Sequence, residues 1–332
     1  MTGKLRIEKS LHSSGRIDHN LIPTLKEKDY IVKNYDLDGD SPKKFIKGYF
    51  FVHDSTLRRD STNSWTSYIA KTAEKWYPHE SVVEYMINRI GQVMGLEMNE
   101  IRLLQINGQI RFLSKYFIRK NEKLIHGAEL CGEHLGDMQM AEEIAKNKDT
   151  SRELFTFEFI KDAIRTVFPK SFEQITLELV KMLTFDGLVG NNDRHFYNWG
   201  VIDTKKKTSK LPIFTPIYDS ARGLLWNYSD ENLIKIHRGG AKKIEKYINE
   251  ACPRISIEAN TSANHFELID FLSRYNSDYK RVVTTLSKEA VEDEIIEMLK
   301  KEFYPLFIRE RCELITLILR KRFKKIRDTI WQ

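Results

Sequence analysis

Between positions 190 and 200 the chain reads Gly-Asn-Asn-Asp-Arg-His-Phe-Tyr-Asn-Trp-Gly. An acid (Asp193), a histidine (His195) and an amide (Asn198) fall close together. This set suits phosphoryl transfer, where the protein positions reactants and stabilises charge but does little covalent work. Asp193 would take the proton from an attacking hydroxyl, and Asn198 would offer its amide oxygen to a metal ion. His195 could polarise the substrate, or shape the loop through a hydrogen bond. Turns favour Asn and Asp for their own reasons. The spacing Asp-x-His-x-x-Asn, set between an apolar helix pattern and a strand pattern, weighs for chemistry.

Three further groups would complete such a site. Asp219 follows the apolar run Leu211 to Ile217 and Tyr218, and it could be the carboxylate ligand of a magnesium ion. The bland alternative is a helix N-cap. Lys71 ends the segment Tyr68-Ile69-Ala70-Lys71 and could hold α- and β-phosphates, with Lys75 as its rival. Its acidic partner would be Glu84 or Glu80, which are four apart and share a helix face; Glu84 is preferred. The alternative is an exposed ion pair of little energetic weight. A phosphate-cradling turn is sought in Asp38-Gly39-Asp40-Ser41-Pro42-Lys43, with Gly39, Ser41 and Lys43 as contacts. With one glycine, a plain β-turn fits nearly as well.

Elements must bring these groups together. Phe45 to Val52 and Thr66 to Ala70 read as strands. Apolar residues at 82, 83, 86, 87, 90, 93 and 94 give a helical stripe that ends near Gly95. Asn107-Gly108, between two apolar runs, signals a type I′ hairpin over 101–118. Ser151 would cap a helix reaching about Phe168, and a second apolar helix, 172–189, would deliver the chain to the Asn191 loop. Trp199 to Ile202 and Leu211 to Ile217 would be short strands around the basic turn Lys205-Lys206-Lys207. From Ser287 to Arg327 the pattern is helical, interrupted by Pro305.

The chain has 332 residues, 41% hydrophobic and 11% aromatic, enough for two lobes around substantial cores. Cys131, Cys252 and Cys312 are widely spaced, which predicts a reducing compartment and no zinc site. The first ten residues lack the apolar stretch of a signal peptide, and the expectation is a cytoplasmic protein without membrane contact. Net charge is +7, much of it from Arg320, Lys321, Arg322, Lys324, Lys325 and Arg327. That cluster could meet nucleic acid. The solvated last turns of a helix are the preferred reading.

Taken in order, these segments resemble the HipA-like serine/threonine kinases, toxins of toxin–antitoxin pairs. The resemblance covers roughly residues 38–225. It rests on Ser41-Pro42-Lys43, Lys71, Glu84 through Gly95-Leu96, Lys115-Tyr116-Phe117, Ile125-His126-Gly127-Ala128-Glu129, the Asn191 loop and Pro216-Ile217-Tyr218-Asp219. It implies an α+β, protein-kinase-like fold: a small sheet-and-helix N-lobe (1–122), a larger helical C-lobe (123–332), and ATP with Mg²⁺ in the cleft. Carried over, Asp193 is the base, Asn198 and Asp219 hold Mg²⁺, and Lys71 binds phosphates. Lys115, Tyr116 and Phe117 form the hinge at adenine, and His195 through Asn198 and Tyr218 line the nucleotide site. Ser41 would be an autophosphorylation site. The implied partners are a protein substrate and a small DNA-binding antitoxin. Asp-Arg-His-x-x-Asn also resembles phosphoinositide kinases, so a lipid or small-molecule kinase is the enzymatic alternative. An inactive kinase-like module that grips an antitoxin or nucleic acid is the non-enzymatic one.

Overall fold

A computed structural model describes residues 4–33, 43–50, 58–206 and 209–330. The chain opens with a two-residue strand, β1 (His12–Ser13), and continues through β2 (Tyr30–Lys33), β3 (Lys43–Gly48) and β4 (Thr66–Lys71). A short β5 (Trp76–Tyr77) pairs with β1 and leads into helix α1 (His79–Val93). The hairpin β6 (Ile101–Ile106) and β7 (Gln109–Lys115) then completes a five-stranded antiparallel sheet in the order β2-β3-β4-β7-β6.

Side-chain alternation along β4 explains the placement of its lysine. Tyr68 and Ala70 point into a small core with Tyr30, Ile46, Leu104, Ile106 and Leu113. Ile69 and Lys71 therefore face the opposite side, toward the cleft. The hairpin turn carries positive φ at Asn107 (52°) and Gly108 (75°), as a type I′ turn requires. Helix α1 packs against β6 and β7 and buries Val82, Val83, Met86, Ile87 and Ile90. It stops where expected: Gly95 adopts φ 71°, its N–H bonds Gln92 O, and Leu96 N–H bonds Gly91 O, both at 3.0 Å.

Residues 116–121 lead from the sheet to β8 (Glu122–His126). The helices α2 (Gly127–Leu135), α3 (Met138–Lys146), α4 (Lys148–Leu154), α5 (Phe157–Val167) and α6 (Phe172–Val189) follow. Two strands, β9 (Gly200–Thr204) and β10 (Ile213–Phe214), join β8 in a three-stranded sheet. The rest is helical: α7 (Asp230–Gly239), α8 (Ala241–Glu250), α9 (His265–Tyr275), α10 (Ser277–Leu286), α11 (Glu289–Glu302) and α12 (Arg309–Ile330). These helices surround a second, larger core that also takes in α1.

Several expectations are corrected. No single helix runs from Ser151 to Phe168. Asn147 caps α4 by accepting from Asp149 and Thr150 N–H, and Ser151 lies inside that helix. Thr156 then takes an extended conformation and caps α5 through Phe159 N–H, so the helix must restart. Strand β3 begins at Lys43 and ends at Gly48, and residues 51 and 52 of the expected strand lie outside the described residues. The second expected strand of the Lys205 turn shrinks to Ile213–Phe214, and Lys207 lies outside the described residues. The C-terminal basic cluster is a solvated face only in part: Arg320, Lys324 and Lys325 are exposed, but the others are engaged. Arg322 is fully buried and donates to Gly187 O and Ile248 O, both at 2.7 Å. Arg327 pairs with Glu292 at 2.8 Å, and Lys321 pairs with Glu245. Among the described residues no helix is long and apolar enough to cross a membrane.

Candidate active site

Helix α6 ends at Gly190, whose φ of 68° turns the chain sharply into the Asn191 loop. A buried ion pair holds that loop from behind. Arg194 forks onto Asp186 of α6 with contacts of 2.8 and 2.9 Å, and each side chain is 1% exposed. The remaining guanidinium donors reach Asn198 O at 3.2 Å, Ser220 Oγ at 2.6 Å and Tyr218 O. One arginine thus ties helix, Asn191 loop and Asp219 loop together. Burial opposes its charge, but Asp186 more than compensates and raises its pKa.

Within the loop, His195 N–H bonds Asp193 O at 2.8 Å and Asn198 Nδ2 bonds the same oxygen at 3.1 Å. His195 Nδ1 accepts from Tyr197 N–H at 3.3 Å. Burial pushes the imidazole pKa down, against the pull of Asp193 and Asp219. These contacts within its own loop are those expected of a group that shapes the loop. Tyr218 is fixed similarly, its hydroxyl donating to Tyr197 O at 2.9 Å.

Lys71 meets two acids. Its Nζ lies 2.8 Å from Asp219 and 3.4 Å from Glu84. Burial works against the ammonium, yet the two carboxylates raise its pKa overall. Burial pushes Glu84 up to about 7, opposed by Lys71 and helped by the charge of Asp219. Asp219 is held below the ordinary carboxylate range: burial resists ionisation, but Lys71 outweighs it. Glu80 does not compete for Lys71. It accepts instead from the backbone N–H of Lys75 (3.2 Å) and Trp76 (3.4 Å), fixing the entry to α1. Asp219 also sits at φ 54°, in the left-handed region that Asp and Asn visit more readily than other residues with a side chain.

Lys71, Glu84, Asp193, His195, Asn198 and Asp219 line one cleft of about 950 Å³ between the five-stranded sheet and the helical part, with Asp186 and Arg194 buried behind it. Lys43, Lys115, Tyr116 and Phe117 line it too, with His126 and Tyr197. Phe117 packs on Tyr218 with ring centroids 5.5 Å apart, giving the cleft an aromatic wall. Lys115 is the last residue of β7, and its ammonium pairs with Glu100 at 2.6 Å. Gly39 and Ser41 lie outside the described residues, and Lys43 is the first residue of β3, in register with Lys71.

The donor chemistry fits a magnesium ion. Asn198 and Asp219 line the cleft and could supply oxygen, and no group of three or more His, Cys, Asp or Glu suited to a metal occurs among the described residues. Magnesium is usually held by one or two carboxylates together with substrate phosphates and waters, not by an all-protein cage.

Comparisons with known proteins bear on the family and the fold. The sequence profile of the HipA-like C-terminal domain matches residues 35–299. The chain belongs to this family. An inferred kinase of Haemophilus influenzae is 27% identical over 166 residues, 48% of this chain and 46% of that protein. The chain thus matches about half the length of that relative. The crystal structure of the Helicobacter pylori proinflammatory kinase CtkA superposes with a TM-score of 0.70 at 17% identity, covering 93% of this chain and 97% of that one. HipA from Shewanella oneidensis, solved with HipB and operator DNA, gives a TM-score of 0.51 at 13% identity, covering 92% of this chain and 65% of that one. The α+β kinase-like fold follows.

In this member of the HipA-like family, sequence reasoning missed three groups. Asp186, an acid inside the apolar run of α6, was detectable, because a buried carboxylate demands a cation. Arg222 and Arg254 were not. They bracket Asp193, at 3.0 Å from Oδ2 and 2.8 Å from Oδ1.

Proposed function

We propose that the chain transfers the γ-phosphate of ATP, with Mg²⁺, to serine or threonine of a protein substrate. The observation that carries this reading is the convergence of Lys71, Glu84, Asp193, Asn198 and Asp219 on one cleft. Lys71 would engage the α- and β-phosphates, leaving Asp219 to the metal and Glu84 to orient the lysine. Asp193 accepts the acceptor hydroxyl's proton. The hydroxyl oxygen then bonds the γ-phosphorus, and the bond to the bridging oxygen breaks to release ADP. Mg²⁺, bound by Asn198 and Asp219, would supply neutralising charge at the phosphates. Residues 116–118 and the Phe117–Tyr218 wall would receive adenine.

Incubation with γ-labelled ATP and Mg²⁺, with a bacterial lysate as acceptor, tests this reading. Label on phosphoserine or phosphothreonine, absent from Asp193→Asn, is the expected result. Label on lipid or small molecules alone would favour the alternative substrate class. Labelled Ser41 in the isolated protein would extend the reading to autophosphorylation. A toxin role, drawn from the likeness to HipA with its HipB partner, predicts co-purification with a small DNA-binding protein encoded alongside. Growth unaffected by expression, with no such partner, would remove the toxin role.

A further inference from the structure

Asp193 faces more positive charge than its own role requires. Arg254 Nη2 donates to its Oδ1 at 2.8 Å, and Arg222 Nε lies 3.0 Å from Oδ2. One carboxylate thus meets two guanidinium groups, so a positive charge is left over where the acceptor must arrive. Neither arginine is slack. Arg222 lies over the Trp226 ring, 5.1 Å from its centroid. Arg254 stands between α8 and α9, in a loop pinned by buried Arg152, which donates to Pro253 O and, at 2.9 Å, to Ala263 O. Arg254 Nε is itself buried without a hydrogen-bond partner. Such a donor costs free energy until something satisfies it. Orienting Asp193 does not require both arginines, because Arg194 and Asp186 already fix the loop from behind.

We propose that Arg222 and Arg254 form an anion subsite that selects acceptors with an acidic side chain near the phosphorylated hydroxyl. Two residues of extended chain reach ~7 Å, enough to place one carboxylate at the arginines while the hydroxyl sits at Asp193. The guanidinium fork matches a carboxylate in two-point contact. The incoming acid would take over as partner of the arginines and leave Asp193 to the hydroxyl. This inference rests on the protein-kinase reading above.

The test uses the full chain and matched Ser/Thr peptides with neutral, acidic or basic neighbours. Label transfer and calorimetric binding are measured in parallel, with thermal melting as a check of folding. Acidic peptides should exceed neutral ones in kcat/KM by about tenfold or more, through KM. Arg254→Gln and Arg222→Gln should bring that ratio toward one, and Arg254→Lys should restore part of it. Equal use of acidic and neutral peptides, or a preference unchanged in both Gln variants, overturns the subsite. If no peptide is labelled, the protein-kinase reading fails by itself and binding decides the subsite. Acid-selective binding weakened by Arg254→Gln then supports it, and binding indifferent to acid overturns it.

Discussion

The two sides of the Asn191 loop handle charge differently. Behind it, Arg194 and Asp186 form a closed pair, both fully buried, with every other donor of the guanidinium bonded to the backbone or to Ser220. In front, charges are shared: Lys71 serves both Asp219 and Glu84, and Asp193 serves both Arg222 and Arg254. A closed pair has nothing to offer a ligand and fixes geometry. A shared one can be redistributed when phosphates, a cation or an acidic acceptor enters. Stability should therefore reside behind the loop and chemistry in front of it.

Mutations on each side test that division. Asp219→Ala removes the carboxylate expected to hold the cation, and phosphate transfer should fall by about a thousandfold, since such charge stabilisation amounts to several kcal/mol. Melting temperature should move little. Arg194→Met leaves Asp186 buried and uncompensated, which costs about 3–5 kcal/mol. Urea unfolding should show that loss, and an unchanged midpoint would erase the distinction between the two sides.

The pH dependence of Glu84 sharpens the comparison. Its folded pKa, about 7, lies above the ordinary glutamate value of 4.5. The folded state therefore binds more protons than the unfolded chain between those values, and its contribution to stability falls as pH rises through that window. Glu84→Gln should remove this part of the slope in pH-dependent unfolding; an identical slope would contradict the assignment. His195→Ala should have the smallest effect, less than about tenfold on transfer, below the range typical of a general base. A loss as large as that of Asp219→Ala would make His195 a participant in chemistry.

How much of this could be read in the sequence depends on distance along the chain. The loop from Asp193 to Asn198 was legible because its hydrogen bonds are local. Glu84 followed from helical periodicity and Lys71 from the end of a strand, although only the fold shows that Glu80 is spent on the α1 entry. The hairpin and the end of α1 were legible because Asn107-Gly108 and Gly95 impose backbone conformations of their own. Arg254 was not, because 61 residues separate it from Asp193 and nothing local distinguishes it from a surface arginine. Arg322 misled for the same reason: it sits among solvated cations in sequence, yet its guanidinium is buried against the end of α6 and the α8 backbone. The α4–α5 break turned on Thr156, whose capping role competes with a continuous helix and cannot be read from apolar spacing alone.

The most direct test of a shared-charge front is Asp193→Asn, with ATP affinity and phosphate transfer measured on the same protein. The amide keeps the shape and lacks the proton-accepting charge. ATP binding in the presence of Mg²⁺ should stay close to wild type while transfer drops by ~100-fold or more. Transfer at the wild-type rate, or no ATP binding by either protein, would contradict the account.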